Sequence, residues 1–142
     1  MMMFPRILSA AAQRRLQAHL KKGGLVAYPT ESCYGLGCIP TLPKALNQLI
    51  HLKKRPQHKG MIVIGHSLEQ LQPLLQRPSE NIQTMLYEAW PAPKTFLLPT
   101  GKKVLPLLRG KGRSKLAVRV PAHAGARRLC QVLEMPLVST SC

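Results

Sequence analysis

Short apolar runs alternate with stretches of helical period along the whole sequence, and that alternation constrains the fold more than any other feature. Leu25 to Tyr28, Met61 to Ile64, Thr95 to Leu98, Leu116 to Val120 and Leu137 to Thr140 read as buried strands. Between them lie helical stripes. Ser9 is a candidate N-cap, Leu8, Ala12, Leu16 and Leu20 fall on one helical stripe, and Gly23-Gly24 ends the pattern. Ala45, Leu46, Leu49, Ile50 and Leu52 predict a helix from Thr41 that Pro56 ends. Ser67 with Gln70 forms a capping box before Leu68, Leu71, Leu74 and Leu75, and Pro73 breaks that helix early. Ser79 caps a further helix with Ile82, Met85, Leu86 and Ala89 inward, and the last helix spans Ala122 to Leu133. The pattern predicts a single α/β domain, and the hairpin-like spacing near Tyr34 leaves room for antiparallel members, so the sheet is expected to be mixed. Thr100 to Ser114 reads as one long irregular stretch, dense in Lys, Arg and Gly.

The 142 residues suffice for one core, and 45% apolar content excludes disorder. No run approaches the roughly 18 apolar residues of a membrane span, and Arg14 and Arg15 interrupt the start before a signal-like segment can form, so a cytoplasmic location is expected. Charge is the unusual quantity: 21 Lys and Arg face 5 acids, a formal +16, and every acid is a glutamate. Without aspartate there is no Ser-His-Asp relay, aspartyl dyad or Asp metal cage. Polyanions are the natural partners of such a chain, since each cation that neutralises a phosphate releases a counterion. Cys33, Cys38, Cys130 and Cys142 lack zinc-ligand spacing and read as free thiols.

Sites of open α/β sheets form beyond strand ends. Thr30-Glu31-Ser32, Lys53 to Lys59, Thr95 and Ser139 to Ser141 all follow or close strands. Arg119 lies within one, where it either faces water or reaches an anion. Lys53-Lys54-Arg55 at a helix end either complements the helix dipole, worth about 0.3–1 kcal/mol, or holds phosphates. The five histidines share no common spacing, and of these only His58, beside Lys59, stands near the phosphate candidates.

Tyr28-Pro29-Thr30-Glu31-Ser32-Cys33-Tyr34-Gly35-Leu36-Gly37 resembles the P-T-[DE]-T-x-Y-G-L-G signature of the YrdC/TsaC family, the threonylcarbamoyl-AMP synthases. Further matches follow in family order: Lys53-x-Arg55-Pro56 with Lys59-Gly60, Trp90-Pro91-x-Pro93-x-Thr95, Leu116 to Pro121, and Pro136 to Ser141. The resemblance implies a single-domain twisted mixed sheet, parallel and antiparallel, with flanking helices and an open basic concave face. It implies the reaction of L-threonine, bicarbonate and ATP to threonylcarbamoyl-AMP and pyrophosphate, for the threonylcarbamoyladenosine modification of tRNA. Carried over, Thr30 and Arg119 would bind threonine, and Lys53 and Arg55 would act catalytically on the ATP phosphates. Lys59, Thr95, Ser139 and Ser141 would line the nucleotide site. Mg²⁺ would be held mainly through the ATP phosphates.

Structured RNA and tRNA threonylcarbamoyl-transfer proteins would be partners, with Lys102, Lys103, Arg109, Lys111 and Arg113 on the RNA. A competing reading is a non-enzymatic module that grips structured RNA, and a third is a carbamoyl-transfer domain of a larger hydrogenase-maturation protein. Family members continue S-A-N-x-S-G and then some tens of residues where this sequence ends at Ser141-Cys142, so the C-terminal part of the family domain is expected to be missing. Ala92 stands where the family has glycine, with a tighter turn before Thr95 as the expected consequence. Glu31, beside Thr30, is expected to orient a loop amide or the substrate ammonium. Glu31→Gln should therefore weaken threonine affinity by titration, and full activity with normal affinity would remove that role.

Overall fold

The structure, a computed structural model, describes residues 2–3, 9–29 and 34–141, with the side chains of Met2, Met3 and Ser141 outside the description. Thr30, Glu31, Ser32, Cys33, Leu8 and Cys142 therefore lie outside it as well. The strands are β1 (Met2–Met3), β2 (Val26–Pro29), β3 (Tyr34–Gly37), β4 (Ile62–Ile64), β5 (Phe96–Pro99), β6 (Lys115–Arg119) and β7 (Leu137–Ser141). The helices are α1 (Ala10–Lys21), α2 (Pro43–Lys53), α3 (Leu68–Leu71), α4 (Glu80–Ala89), α5 (Pro106–Arg109) and α6 (Ala124–Leu133).

The seven strands form one sheet in the order β1-β2-β3-β7-β4-β6-β5. The β1–β2 and β4–β6 pairs are parallel; β2–β3, β3–β7, β4–β7 and β5–β6 are antiparallel. The mixed sheet expected from sequence is present. Among the described residues no helix is long and apolar enough to cross a membrane.

Strand alternation divides the core into two layers. On one face Leu25, Ala27, Leu36, Val63, Leu98, Leu116, Val118 and Val138 pack under α2, α3, α4 and α5. On the other, Val26, Tyr28, Ile64 and Leu137 pack under α1 and α6 through Leu16, Leu20, Leu129 and Leu133. Tyr28 is fully buried and donates its hydroxyl to the Val138 carbonyl at 3.1 Å, tying β2 to β7 across the intervening β3.

Helix ends follow the expected chemistry with local corrections. Ser9, Ser67 and Ser79 accept from the amides of Ala12, Gln70 and Ile82. The capping box is displaced by one residue, because Gln70 Oε1 takes the amide of His66 at 2.8 Å rather than that of Ser67. Pro73 does end α3, and the chain continues as a 3₁₀ turn over Gln72–Leu74. The α2 helix begins at Pro43 rather than Thr41, since proline suits the first turn, and Lys54 closes it in the left-handed region at φ 51°.

Three expectations of burial fail. Leu52 is exposed, and Ile82 and Met85 of α4 are each 38% exposed, because α4 meets the core mainly through Leu86. The 100–114 stretch is not wholly irregular: it contains α5, whose Leu108 is buried against the first layer.

Cys38 and Cys130 are buried free thiols, and loss of hydration pushes both up to about 12. A raised folded value means that the folded protein keeps a proton which the unfolded chain releases near pH 9. Their contribution is complete below that pH and is lost between about pH 9 and about pH 12. Native protein at pH 8.5 should leave both thiols unalkylated by iodoacetamide, read by peptide mass spectrometry, and urea should expose both.

Candidate functional site

Helices α1 and α6 cover only part of their face. Beyond them Ile62 of β4, Ala117 of β6 and Ser139 of β7 are half-buried, and Leu97 of β5 is 61% exposed. Register places Ile62 beside both Ala117 and Ser139, and Leu97 beside Ala117, so these side chains make one small, mostly apolar floor.

A cation-lined cleft opens at one end of this floor. Arg55, Lys59, Arg109, Arg113 and Lys115 surround it, with Ile62, Leu97 and Ala117 at its base. Among the described residues no glutamate lines it. The described glutamates lie elsewhere: Glu69 on α3, Glu80 and Glu88 on α4, and Glu134 after α6. Glu69 is further occupied by the Tyr87 hydroxyl, whose hydrogen bond lowers its pKa.

Backbone contacts bring these cations together from two separate segments. The 54–60 turn lies against the 109–113 turn through Met61 N–H to Leu108 O at 2.8 Å and Lys111 N–H to Gln57 O at 3.0 Å. Gly60 and Gly110 sit at the crossing with φ of +67° and +93°. A Cβ on Gly60 would stand 2.5 Å from the Arg109 carbonyl oxygen, and one on Gly110 would stand 2.6 Å from that of His58. Only glycine meets both the dihedral and the spacing there. Arg55 Nε donates to the Gly60 carbonyl at 2.8 Å, which fixes the plane of the guanidinium and leaves its two terminal nitrogens outside that bond.

At the other end of the floor, Arg119 closes β6 and is half-buried. Its Nε donates to Thr95 Oγ1 at 2.8 Å. Arg119, Ala117 and Lys115 share one face of β6, so the two ends of the floor are separated by four residues of strand, about 13 Å. Of the two readings open for Arg119, the structure favours a side chain held at the floor over one extended into water.

The candidates read from sequence therefore sort by place. Arg55 and Lys59 line the cleft; Lys53, the last residue of α2, is half-buried and stands two residues before Arg55 without lining it. Ser139 lies on the floor, and Ser141 pairs with Gly35 in backbone register. Thr30 and Glu31 lie outside the described residues. Thr95, grouped with the nucleotide from sequence, accepts a hydrogen bond from Arg119 Nε. Within the run assigned to RNA, Arg109 and Arg113 line the cleft and Lys102, Lys103 and Lys111 do not; all but Arg109 are exposed. Lys115 was missed because a cation at a strand start reads as solvated; its alternation with Ala117 and Arg119 was the available signal.

Ala92 causes no strain. Its φ is not positive, and its amide donates to Val120 O at 3.0 Å, in a turn where Trp90 Nε1 also donates to Lys94 O at 2.8 Å. Among the described residues no three His, Cys, Asp or Glu side chains cluster to hold a metal.

The fold, with a cation-lined cleft and Arg119 at the two ends of an apolar floor, defines an α/β domain suited to an elongated anion. A family model for Sua5, YciO and YrdC proteins, described as "Telomere recombination", matches residues 18–142. The threonylcarbamoyl-AMP synthase of Neisseria meningitidis serogroup A is 77% identical over 141 residues, covering 99% of this chain and 75% of that protein. The protein of the same name from Laribacter hongkongensis is 51% identical, covering 96% of this chain and 72% of that one. P. abyssi Sua5 complexed with L-threonine superposes with a TM-score of 0.85 at 30% identity, covering 99% of this chain and 42% of that chain. E. coli YciO, at 24% identity and a TM-score of 0.78 over 98% of this chain and 67% of that one, shares the fold. The chain belongs to the Sua5/YciO/YrdC family.

Gly110→Ala should lower stability by at least about 2 kcal/mol, since left-handed strain of about 1–2 kcal/mol adds to the clash with His58 O. Urea denaturation checks this, and a wild-type midpoint would mean that the crossing yields easily.

Proposed function

We propose that this chain is a threonylcarbamoyl-AMP synthase, making threonylcarbamoyl-AMP and pyrophosphate from L-threonine, bicarbonate and ATP. The observation that carries the reading is the pairing, on one uncovered sheet face, of a five-cation cleft with the Arg119–Thr95 pair about one short strand away. Identity of 77% to a protein of that name supports it.

The Arg119 guanidinium, turned by Thr95, holds the threonine carboxylate through its terminal nitrogens. The threonine amine and bicarbonate combine to a carbamate with loss of water. A carbamate oxygen then bonds to the α-phosphorus of ATP, and the bond from that phosphorus to the β-phosphate bridging oxygen breaks, its electron pair leaving with pyrophosphate. Nucleophile and target are both anionic, so the protein's first task is to offset repulsion, which Arg55, held by the Gly60 carbonyl, does together with Lys59 and Arg113. Lys53, next along the chain, adds to that field from the end of α2. Ser139 borders the nucleotide on the floor. Magnesium enters as part of the ATP substrate, held by phosphate and water oxygens, in keeping with a cleft whose side chains are cationic.

The product is an activated acyl donor, to be used by proteins that transfer the threonylcarbamoyl group to tRNA. Lys102, Lys103 and Lys111 remain exposed for RNA contact. A purely RNA-gripping module is the weaker reading, because Arg109 and Arg113 of that run are drawn into the cleft.

Pyrophosphate release from ATP, with and without threonine, tests the proposal, and release that does not respond to threonine would end it. In the same assay Arg119→Lys should raise the KM for threonine about tenfold or more while the KM for ATP stays within about twofold. Arg55→Gln should do the reverse.

A further inference from the structure

Among the described residues one buried side-chain nitrogen has no hydrogen-bond partner, Arg109 Nη1. A guanidinium N–H removed from water without an acceptor is costly, and folded proteins rarely leave one so. Among the described residues the side chains lining the cleft supply no acceptor for it. Its lining side chains are cationic or apolar, and the Gly60 carbonyl already accepts from Arg55 Nε. Arg109 is nevertheless held firmly. It ends α5, its amide donates to Leu105 O, and its own carbonyl is pressed against Gly60, whose Cβ position lies 2.5 Å away. Lys102 and Lys103, earlier in the same run, are exposed and outside the cleft.

We propose that Arg109 is a ligand of the pyrophosphate portion of the bound nucleotide, with Nη1 donating to a phosphate oxygen in the cleft. This deepens the synthase reading and rests on it for the identity of the phosphate chain. A phosphate oxygen supplies the missing acceptor, and an anion of two phosphates offsets the mutual repulsion of Arg55, Lys59, Arg109 and Arg113. As the α-phosphorus exchanges its bridging oxygen for the carbamate oxygen, negative charge grows on the departing pyrophosphate. Nη1 is closed to solvent in the free chain, so the guanidinium must turn for a phosphate oxygen to reach it, and the hydrogen bond gained by a donor otherwise unsatisfied offsets that movement.

Inorganic pyrophosphate is the probe, titrated calorimetrically at low ionic strength and by its effect on Tm, with the intact chain. Wild type should bind it, and Arg109→Gln should bind about ten- to a hundredfold more weakly. Without pyrophosphate the variant should melt no lower than wild type, because the substitution removes an unsatisfied donor; a purely structural arginine would lower Tm. Threonine affinity, read in a separate titration, should be unchanged. If Arg109→Gln fails to fold, Arg109→Lys replaces it: charge is kept but the buried fork is lost, and affinity should still drop several-fold. No pyrophosphate binding by wild type, or wild-type affinity in the variant that folds, overturns the proposal. Turnover is not needed for the measurement. A chain that binds pyrophosphate through Arg109 yet releases none from ATP would keep this inference and lose the synthase reading; threonine-dependent release with unchanged Arg109→Gln affinity would do the opposite.

Discussion

Mutual repulsion among the cleft cations is the constraint around which the rest of this fold is arranged. Two unit charges 6 Å apart repel by about 3 kcal/mol at an effective dielectric of about 20. Arg55, Lys59, Arg109, Arg113 and Lys115 have no carboxylate of the described residues among them to relieve this. Side chains alone would splay outward. The cluster is held by main chain, through the hydrogen bonds of Met61 and Lys111 and the close passage of Gly60 and Gly110. Stability from the two hydrophobic layers is thereby used to hold charges in a geometry that water would disperse. The same logic explains where the acids went: the described glutamates occupy α3, α4 and the end of α6, away from the cleft, where they do not compete with a phosphate.

Unequal coverage of the sheet makes the floor available. Four helices pack one face, whereas on the other α1 and α6 bury Val26, Tyr28, Ile64 and Leu137, with Ile62 half-buried at their margin. The β5–β6 side of that second face carries Leu97, Ala117 and, at its two ends, Lys115 and Arg119. A third helix over this region would bury those cations unpaired, at several kcal/mol each. The open face is therefore required by the charge pattern of β6, and a ligand of opposite charge is its natural cover.

Much of this was legible in sequence, and the failures share a cause. The strands at Val26, Ile62, Phe96, Lys115 and Leu137 and the caps at Ser9 and Ser79 follow from local chemistry, and their boundaries shift by one or two residues. By contrast, β3 could not be read as a strand, because Tyr-Gly-Leu-Gly has little intrinsic β preference and is held by pairing with both β2 and β7. Similarly, Ile82 and Met85 look inward on a helical wheel, but which part of a stripe meets the core depends on where α4 docks. Site residues divide the same way. Arg55 and Lys59 fall four apart on one turn and were readable together. Their union with Arg109 and Arg113 spans some fifty residues of chain and depends on the β4–β6 parallel pairing and α5, which no local pattern encodes.

The alternation of β6 also limits where a reaction between the two subsites can occur. Lys115 and Arg119 face the same way with Ala117 between them, and Ile62 and Leu97 flank that alanine in register. An amino-acid carboxylate on Arg119 and a phosphate chain among Arg55, Lys59 and Lys115 would bring their reactive ends together above Ala117. A larger residue there would raise the floor between them, and a charged one would bind one end too early along the strand. With small and apolar side chains at the centre and cations only at the margins, the strongest field acts on the groups that must stay put. In the proposed reaction the atoms that change partners would lie over a mostly apolar surface that displaces water.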